Sequence, residues 1–168
     1  MDADEIPGGP GWVIGADLRP RITDAAAFRH GLRADPLVDV VEALWSGDAE
    51  RALRMLEPAT TARRRALRAD CLCALGDIAA ARDEYDDLVR EAQGTAREAV
   101  MRQHRGKVLM AAGELGDAID DFARALDLRR EGDSASDLVA SSAHALRIAR
   151  RRLEERREGP ARRDAAER

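Results

Sequence analysis

The sequence predicts an all-α chain, a short α-α solenoid of antiparallel helix pairs, and three observations carry that expectation. Alanine, leucine, arginine and glutamate dominate its 168 residues, while aromatic residues make up 3%. The first four are strong helix formers, and a β-sandwich or a base-stacking surface would use far more aromatic side chains. Apolar residues recur at the i, i+3, i+4, i+7 spacing of one helix face, as in Leu115, Ala118, Ile119, Phe122, Ala125 and Leu126. Ile78, Ala81, Tyr85 and Leu88 repeat that pattern, and Leu138, Ser142, Ala145, Ala149 and Leu153 continue it, with no alternating run of strand length anywhere. Finally, a Gly-Asp or Gly-Glu break returns three times, at Gly47-Asp48, Gly76-Asp77 and Gly113-Glu114.

Residues 1–20 are expected to be irregular, because Pro7, Gly8, Gly9, Pro10 and Gly11 neither propagate a helix nor pack densely. Trp12-Val13-Ile14 forms an apolar island that either docks on the helical body or offers a partner a sticky segment. A short helix is predicted over Arg21 to His30, with Ile22, Ala25, Ala26 and Phe28 on its apolar side and Gly31 to stop it. Asp35-Pro36 reads as an N-cap followed by proline at the first helical position, where no hydrogen bond is lost. That helix runs to Ser46; Gly47-Asp48 starts another, which reaches Glu57-Pro58. Thr60 or Thr61 caps a helix ending at Gly76-Asp77, and the next runs from Ile78 to Gln93, before Gly94. Thr95-Ala96-Arg97-Glu98 has the form of a capping box. After the break at Gly113-Glu114-Leu115-Gly116 a helix continues to Arg130. Asp133 or Ser134 starts the last helix, predicted to end at Arg157 before Gly159-Pro160, with 158–168 frayed.

Length sets one domain with a core of its own. The formal net charge of −4 argues against bulk nucleic-acid binding. Lys107 is the only lysine in an arginine- and alanine-rich chain, a composition expected of a GC-rich bacterial genome. No apolar run is long enough to span a bilayer, and Met1 to Gly11 lacks the basic start and apolar stretch of a secretory signal. A soluble cytoplasmic protein is expected. Cys71 and Cys73 sit two residues apart, so a helix turns them about 200° away from each other. They read as small packing residues in a reducing compartment.

The three breaks align the chain on itself. Five residues beyond each break glycine stand Ala52, Ala81 and Ala118; nine residues beyond stand Leu56, Tyr85 and Phe122. A small residue lets two helix backbones approach, and the large one four residues on fills the gap beside it. At these positions the chain resembles the tetratricopeptide repeat family. The third unit carries Gly106, Ala118, Phe122 and Ala125 at the family's characteristic positions. The second carries Ala69, Ala81, Tyr85 and Leu88, and the first, cut short by Pro58, Val40, Ala52 and Leu56. The breaks lie 29 and 37 residues apart, around the family's period of about 34. The family's early tryptophan is replaced by Pro36, Arg65 and Arg102. The resemblance implies a helical domain over 21–157, with repeats at 33–58, 62–93 and 97–130 and a capping helix at 134–157.

It further implies a concave face lined by the first helix of each pair, a surface that binds peptides or helices of other proteins. The groove-facing positions would be Leu37, Val41 and Leu44 in the first unit, and Arg63, Ala66, Asp70 and Cys73 in the second. The third would offer Val100, Gln103, Lys107 and Met110. Family members that grip a chaperone's terminal carboxylate need lysine and asparagine where Leu37 and Val41 stand, so that partner is not expected. No catalytic, cofactor or metal site is expected. His30, His104 and His144 fall in different helices with no ligand partners at metal spacing. Asp83, Glu84, Asp86, Asp87, Asp120 and Asp121 read as solvated helix faces. No phosphate loop or nucleophile–base motif occurs.

The expected function is therefore a non-enzymatic adaptor that holds a partner peptide or helix in the groove. One alternative is a regulator whose arginine-rich last helix (Arg147, Arg150, Arg151, Arg152, Arg156 and Arg157, then Arg162 and Arg163) contacts nucleic acid or an acidic protein. Interleaved Glu154, Glu155, Glu158 and Asp164, with no aromatic residue for stacking, weigh against nucleic acid. A second alternative is a self-assembling subunit, since three units bury little core and homo-oligomerisation is a common remedy.

Overall fold

The computed structural model describes residues 5–166, with side chains through residue 158. The chain is mostly helical, and a small antiparallel sheet precedes the helices. Its strands are β1 (Ile6–Gly9), β2 (Trp12–Ile14) and β3 (Pro20–Ile22), in the order β1-β2-β3. Eight helices follow among the described residues: α1 (Ala25–Gly31), α2 (Val38–Trp45), α3 (Ala49–Leu56), α4 (Ala62–Ala74), α5 (Ile78–Ala92), α6 (Glu98–Ala112), α7 (Leu115–Glu131) and α8 (Ser136–Ala166). None is long and apolar enough to cross a membrane.

The sheet corrects the expectation that residues 1–20 are irregular and that the chain holds no strands. In β1 the glycines make room rather than merely breaking structure. A Cβ on Gly8 would stand 2.1 Å from the Trp12 ring, and one on Gly9 2.6 Å from its Nε1, so only bare backbone lets the indole lie across this strand. The pairing has Ile6 opposite Ile14 and Gly9 opposite Trp12, with an irregularity between Pro7 and Gly9; Trp12 in turn faces Ile22. Trp12 packs on Trp45 of α2, ring centroids 4.6 Å apart, and Phe28 of α1 packs on the same Trp45 ring at 5.6 Å. The apolar island at 12–14 thus docks on the helical body. Because Arg21 and Ile22 belong to β3, α1 starts at Ala25, where the Asp24 carboxylate caps the amides of Ala26 and Ala27.

Most predicted helix boundaries reappear with local chemistry to explain them. Asp48, Asp77 and Thr61 accept hydrogen bonds from the backbone amides of Arg51, Ala80 and Arg64. Gly47, Gly76 and Gly113 hold φ of 90°, 89° and 79°, the left-handed stop that glycine adopts without strain. Besides the start of α1, three boundaries differ. Asp35 turns the chain by accepting from the Leu37 amide, so α2 begins at Val38 rather than at Pro36. Thr95 does not form the capping box: its hydroxyl donates to the Ala92 carbonyl at the end of α5, and Glu98 reaches back to the Gly94 amide at 2.7 Å. The last helix continues through Gly159-Pro160 to Ala166 instead of ending at Arg157. The frayed tail expected at 158–168 otherwise lies outside the described side chains, as do Arg162 and Arg163.

Each helix from α2 onward packs on the next, and α4 also touches α6. The core divides into three clusters. Val40, Ala52, Leu56 and Cys71 join α2, α3 and α4. Ala69, Ala81, Tyr85, Leu88 and Val108 join α4, α5 and α6. Leu109, Met110, Phe122, Ala145 and Ile148 join α6, α7 and α8. Ala52, Ala81, Ala118, Leu56, Tyr85 and Phe122, the six positions aligned on the breaks, are all 0% exposed. Gly106 of α6 is buried under Phe122, and a Cβ there would meet the ring at 2.6 Å. Leu138, expected on the apolar stripe of α8, is exposed at its start.

Candidate interaction groove

Helices α4 and α6 lie side by side, and the strip between them carries a polar cluster. Asp70 of α4 is its centre. The Tyr85 hydroxyl, reaching up from α5, sits 2.7 Å from Asp70 Oδ1 and 2.9 Å from the Ala66 carbonyl, two acceptors for its one proton. His104 of α6 brings Nδ1 to 3.2 Å from Asp70 Oδ2, and its ring stacks on that of Tyr85 with centroids 6.0 Å apart. Asp70 and His104 keep 23% and 32% of their side-chain surface exposed, so the pair remains within reach of a partner.

The electrostatics of this strip follow from burial and from Asp70. Burial alone would raise the Asp70 pKa, but the charge and hydrogen bond of His104, the Tyr85 hydroxyl and the charge of Lys107 outweigh it and hold the carboxyl below its ordinary value. Burial, then the adjacent carboxylate, pushes the Tyr85 phenol well above its usual range. Lys107 is drawn below the usual ammonium value by burial; Asp70 and Asp17 oppose this, and Arg129 adds to it. Burial, followed by the Asp70 charge, pushes the Cys71 thiol up to about 12 and raises Cys73 as well. Both shifts favour the protonated thiol over the nucleophilic thiolate. Among the described residues no group of three His, Cys, Asp or Glu side chains is placed to hold a metal.

The predicted groove residues divide by accessibility. Ala66, Asp70, Cys73 and Lys107 line the α4–α6 strip and are partly exposed; Arg63 and Val100, near the starts of these helices, are exposed. Arg63 pairs with Asp35, joining α4 to the turn before α2. Leu37 and Leu44 are half-buried against the first core cluster. Val41, Gln103 and Met110 are buried and offer a partner no surface. The reasons are tertiary. α2 lies against β3. Ser142 of α8 donates to Gln103 Oε1 at 2.8 Å while Arg129 donates to Ser142 at 2.6 Å. Met110 shares its cluster with Leu18, which comes from the turn between β2 and β3.

That turn had no helical periodicity to mark it, and it is the part of the site that sequence reasoning missed. Asp17 and Arg19 are exposed on either side of Leu18, which is 1% exposed. Only the turn chemistry of Gly15 and Asp17 signals a reversal here.

The arginine run of α8 also divides. Arg152 donates to the Ala16 carbonyl at 3.2 Å, and Arg156 donates to the Gly113 carbonyl at 2.8 Å. These two act inside the molecule. Arg147, Arg150 and Arg151 instead rim a shallow surface cavity of about 490 Å³ floored by Leu126, Ala143 and Leu146, with Glu154 at its edge. Two acidic residues expected on solvated faces are in fact enclosed by arginines: Asp121 is buried between Arg102 and Arg105, and Glu84 is held by Arg65 and Arg68. Comparison with protein-family models, with curated proteins and with solved structures finds no match to this chain.

Proposed function

We propose that this chain is a protein-interaction adaptor in the manner of tetratricopeptide repeats, a short solenoid of antiparallel helix pairs that holds a partner segment along the strip between α4 and α6. The observation that carries this reading is the Asp70–His104–Lys107 group, polar side chains from two neighbouring helices meeting in one partly exposed strip. A strip of that kind, with exposed Val100 and partly exposed Cys73 nearby, offers a peptide both directed polar contacts and apolar surface. The repeated burial of Ala52, Ala81 and Ala118 with Leu56, Tyr85 and Phe122 supports the repeat architecture behind it. A second reading is favoured by the arginine-rimmed cavity between α7 and α8, whose charge suits an acidic protein surface.

Affinity capture from the host lysate with two variants separates these readings. His104→Ala with Lys107→Ala is expected to lose a partner that Arg147→Glu with Arg150→Glu retains. The opposite pattern would move the contact to α7 and α8. A partner retained by both variants would overturn both readings.

A further inference from the structure

Two helices of this chain receive their neighbours in the same way. Arg65 and Arg68, three residues apart on α4, both reach Glu84 of α5, and Arg65 also reaches Glu91. Arg102 and Arg105, at the same spacing on α6, both reach Asp121 of α7, at 3.0 and 2.6 Å. Residues three apart share a helix face, so each pair offers the neighbouring helix two guanidinium forks side by side. The same neighbours bury a large apolar side chain in the adjoining core, Tyr85 from α5 and Phe122 from α7.

α8 carries the first half of that contact. Arg147 and Arg150 stand three residues apart and are exposed, with partly exposed Arg151 beside them. Arg147 is steadied from beneath, its Nη2 donating to Nδ1 of the buried His144 at 2.8 Å. These arginines rim the cavity of about 490 Å³ between α7 and α8, with Leu126, Ala143 and Leu146 as its apolar floor. Among the described residues no helix follows α8. A nucleic acid suits this face poorly. Glu154 lies at the cavity's edge and Glu155 beside Arg151, no aromatic ring offers stacking there, and a phosphate backbone makes no use of an apolar floor.

We infer that the α7–α8 face takes an amphipathic helix of a partner protein, whose carboxylates, three or four residues apart, meet Arg147 and Arg150 while its apolar residues cover Leu126, Ala143 and Leu146. The inference rests on the second reading above, an acidic surface at this cavity, and names that surface as a helix. Glu154 repels carboxylates at the far edge, so the partner's acidic residues lie opposite Arg147 to Arg151.

The test uses the full chain and a labelled synthetic peptide covering residues 77–93 of this sequence. That segment spans α5, a helix whose carboxylates sit on an arginine pair of this spacing. A control peptide has the same composition in an order that spreads acidic and apolar residues around the helix. By fluorescence anisotropy at low salt, the α5 peptide is expected to bind at least tenfold more tightly than the control, and to gain helical circular dichroism on binding. Arg147→Glu with Arg150→Glu should weaken it at least tenfold. Arg54→Glu with Arg90→Glu, an equal charge change at two exposed sites away from the cavity, should weaken it less than twofold. If the α8 variant loses its own helical signal, Arg150→Ala alone decides, with a threefold loss expected. Equal binding of the two peptides, no binding, or an equal loss from both charge reversals would overturn the inference. The acidic-surface reading would survive that failure if capture of a lysate partner were still lost on Arg147→Glu with Arg150→Glu, and would fall with it if capture were retained.

Discussion

Two guanidinium groups meet at Asp121, whose side chain is 3% exposed. Arg105 Nε lies 2.6 Å from Oδ2 and Arg102 Nη1 3.0 Å from Oδ1, and Arg105 also reaches Asp86 at 2.9 Å. Removing the one carboxylate would leave Arg105 to Asp86 and Arg102 to Glu98, so the loss should fall short of the about 3–5 kcal/mol that an unpaired buried charge costs. Asp121→Ala is accordingly expected to lower the denaturant midpoint, with an unchanged slope if cooperativity survives. Arg65 and Arg102 both reach acidic residues on the following helix. Gly106 makes a complementary case. Alanine gains about 1 kcal/mol of helix propensity over glycine. Its Cβ would stand 2.6 Å from a Phe122 ring that has no exposed side to retreat to, and overpacking of this kind costs about 1–3 kcal/mol. Gly106→Ala should therefore lower the melting temperature, despite the better helix former.

Helix ends are where single side chains control whole elements. Asp77 caps α5 through the Ala80 amide, and Asp77→Ala should cost about 1 kcal/mol, read from chemical denaturation. Glu98 joins α5 to α6 in a different way, by accepting from the Gly94 amide and from Arg102. The Gly94 hydrogen bond, then that of Arg102, holds its carboxyl below the ordinary value of 4.5, against the opposing effect of burial. A depressed carboxylate stabilises the fold fully above its unfolded pKa, and that contribution is lost as pH falls through the folded one. Glu98→Gln should thus be less stable than wild type at pH 7, and the gap should close as pH falls below the ordinary 4.5 and through the depressed folded value; a gap that persists in acid would mean that shape rather than charge holds this junction.

At the scale of the molecule, each core cluster is shared by consecutive helices, and the small sheet joins the two ends. β3 lies against α2, and β1 touches α8. Trp12 anchors the sheet at one end by packing on Trp45, and Leu18 anchors it at the other. Trp12→Ala should release the first anchor, giving faster amide exchange across β1 to β3 and loss of near-ultraviolet circular dichroism. The far-ultraviolet helical signal should remain, because α4 to α8 keep their own clusters. A parallel loss of helical signal would show that the sheet is a structural part of the helical stack.

What the sequence by itself determined about this protein is its helical content, most helix ends and the six aligned core positions, because these depend on contacts within three or four residues and on the chemistry of capping. Ala66, Asp70 and Lys107 were pointed to by the resemblance rather than by spacing alone, and the structure leaves them partly exposed on α4 and α6. Only the tertiary structure decided what covers that strip. Tyr85 reaches Asp70 from another helix, Ser142 closes over Gln103, and Leu18 reaches a cluster whose other members begin at Leu109. The strands share this origin: three or four residues carry too little periodicity to declare themselves, and Gly8 and Gly9 make sense only once the Trp12 ring lies across them. Local rules govern where a helix begins and ends, whereas the use of a surface depends on which distant side chain arrives to fill it.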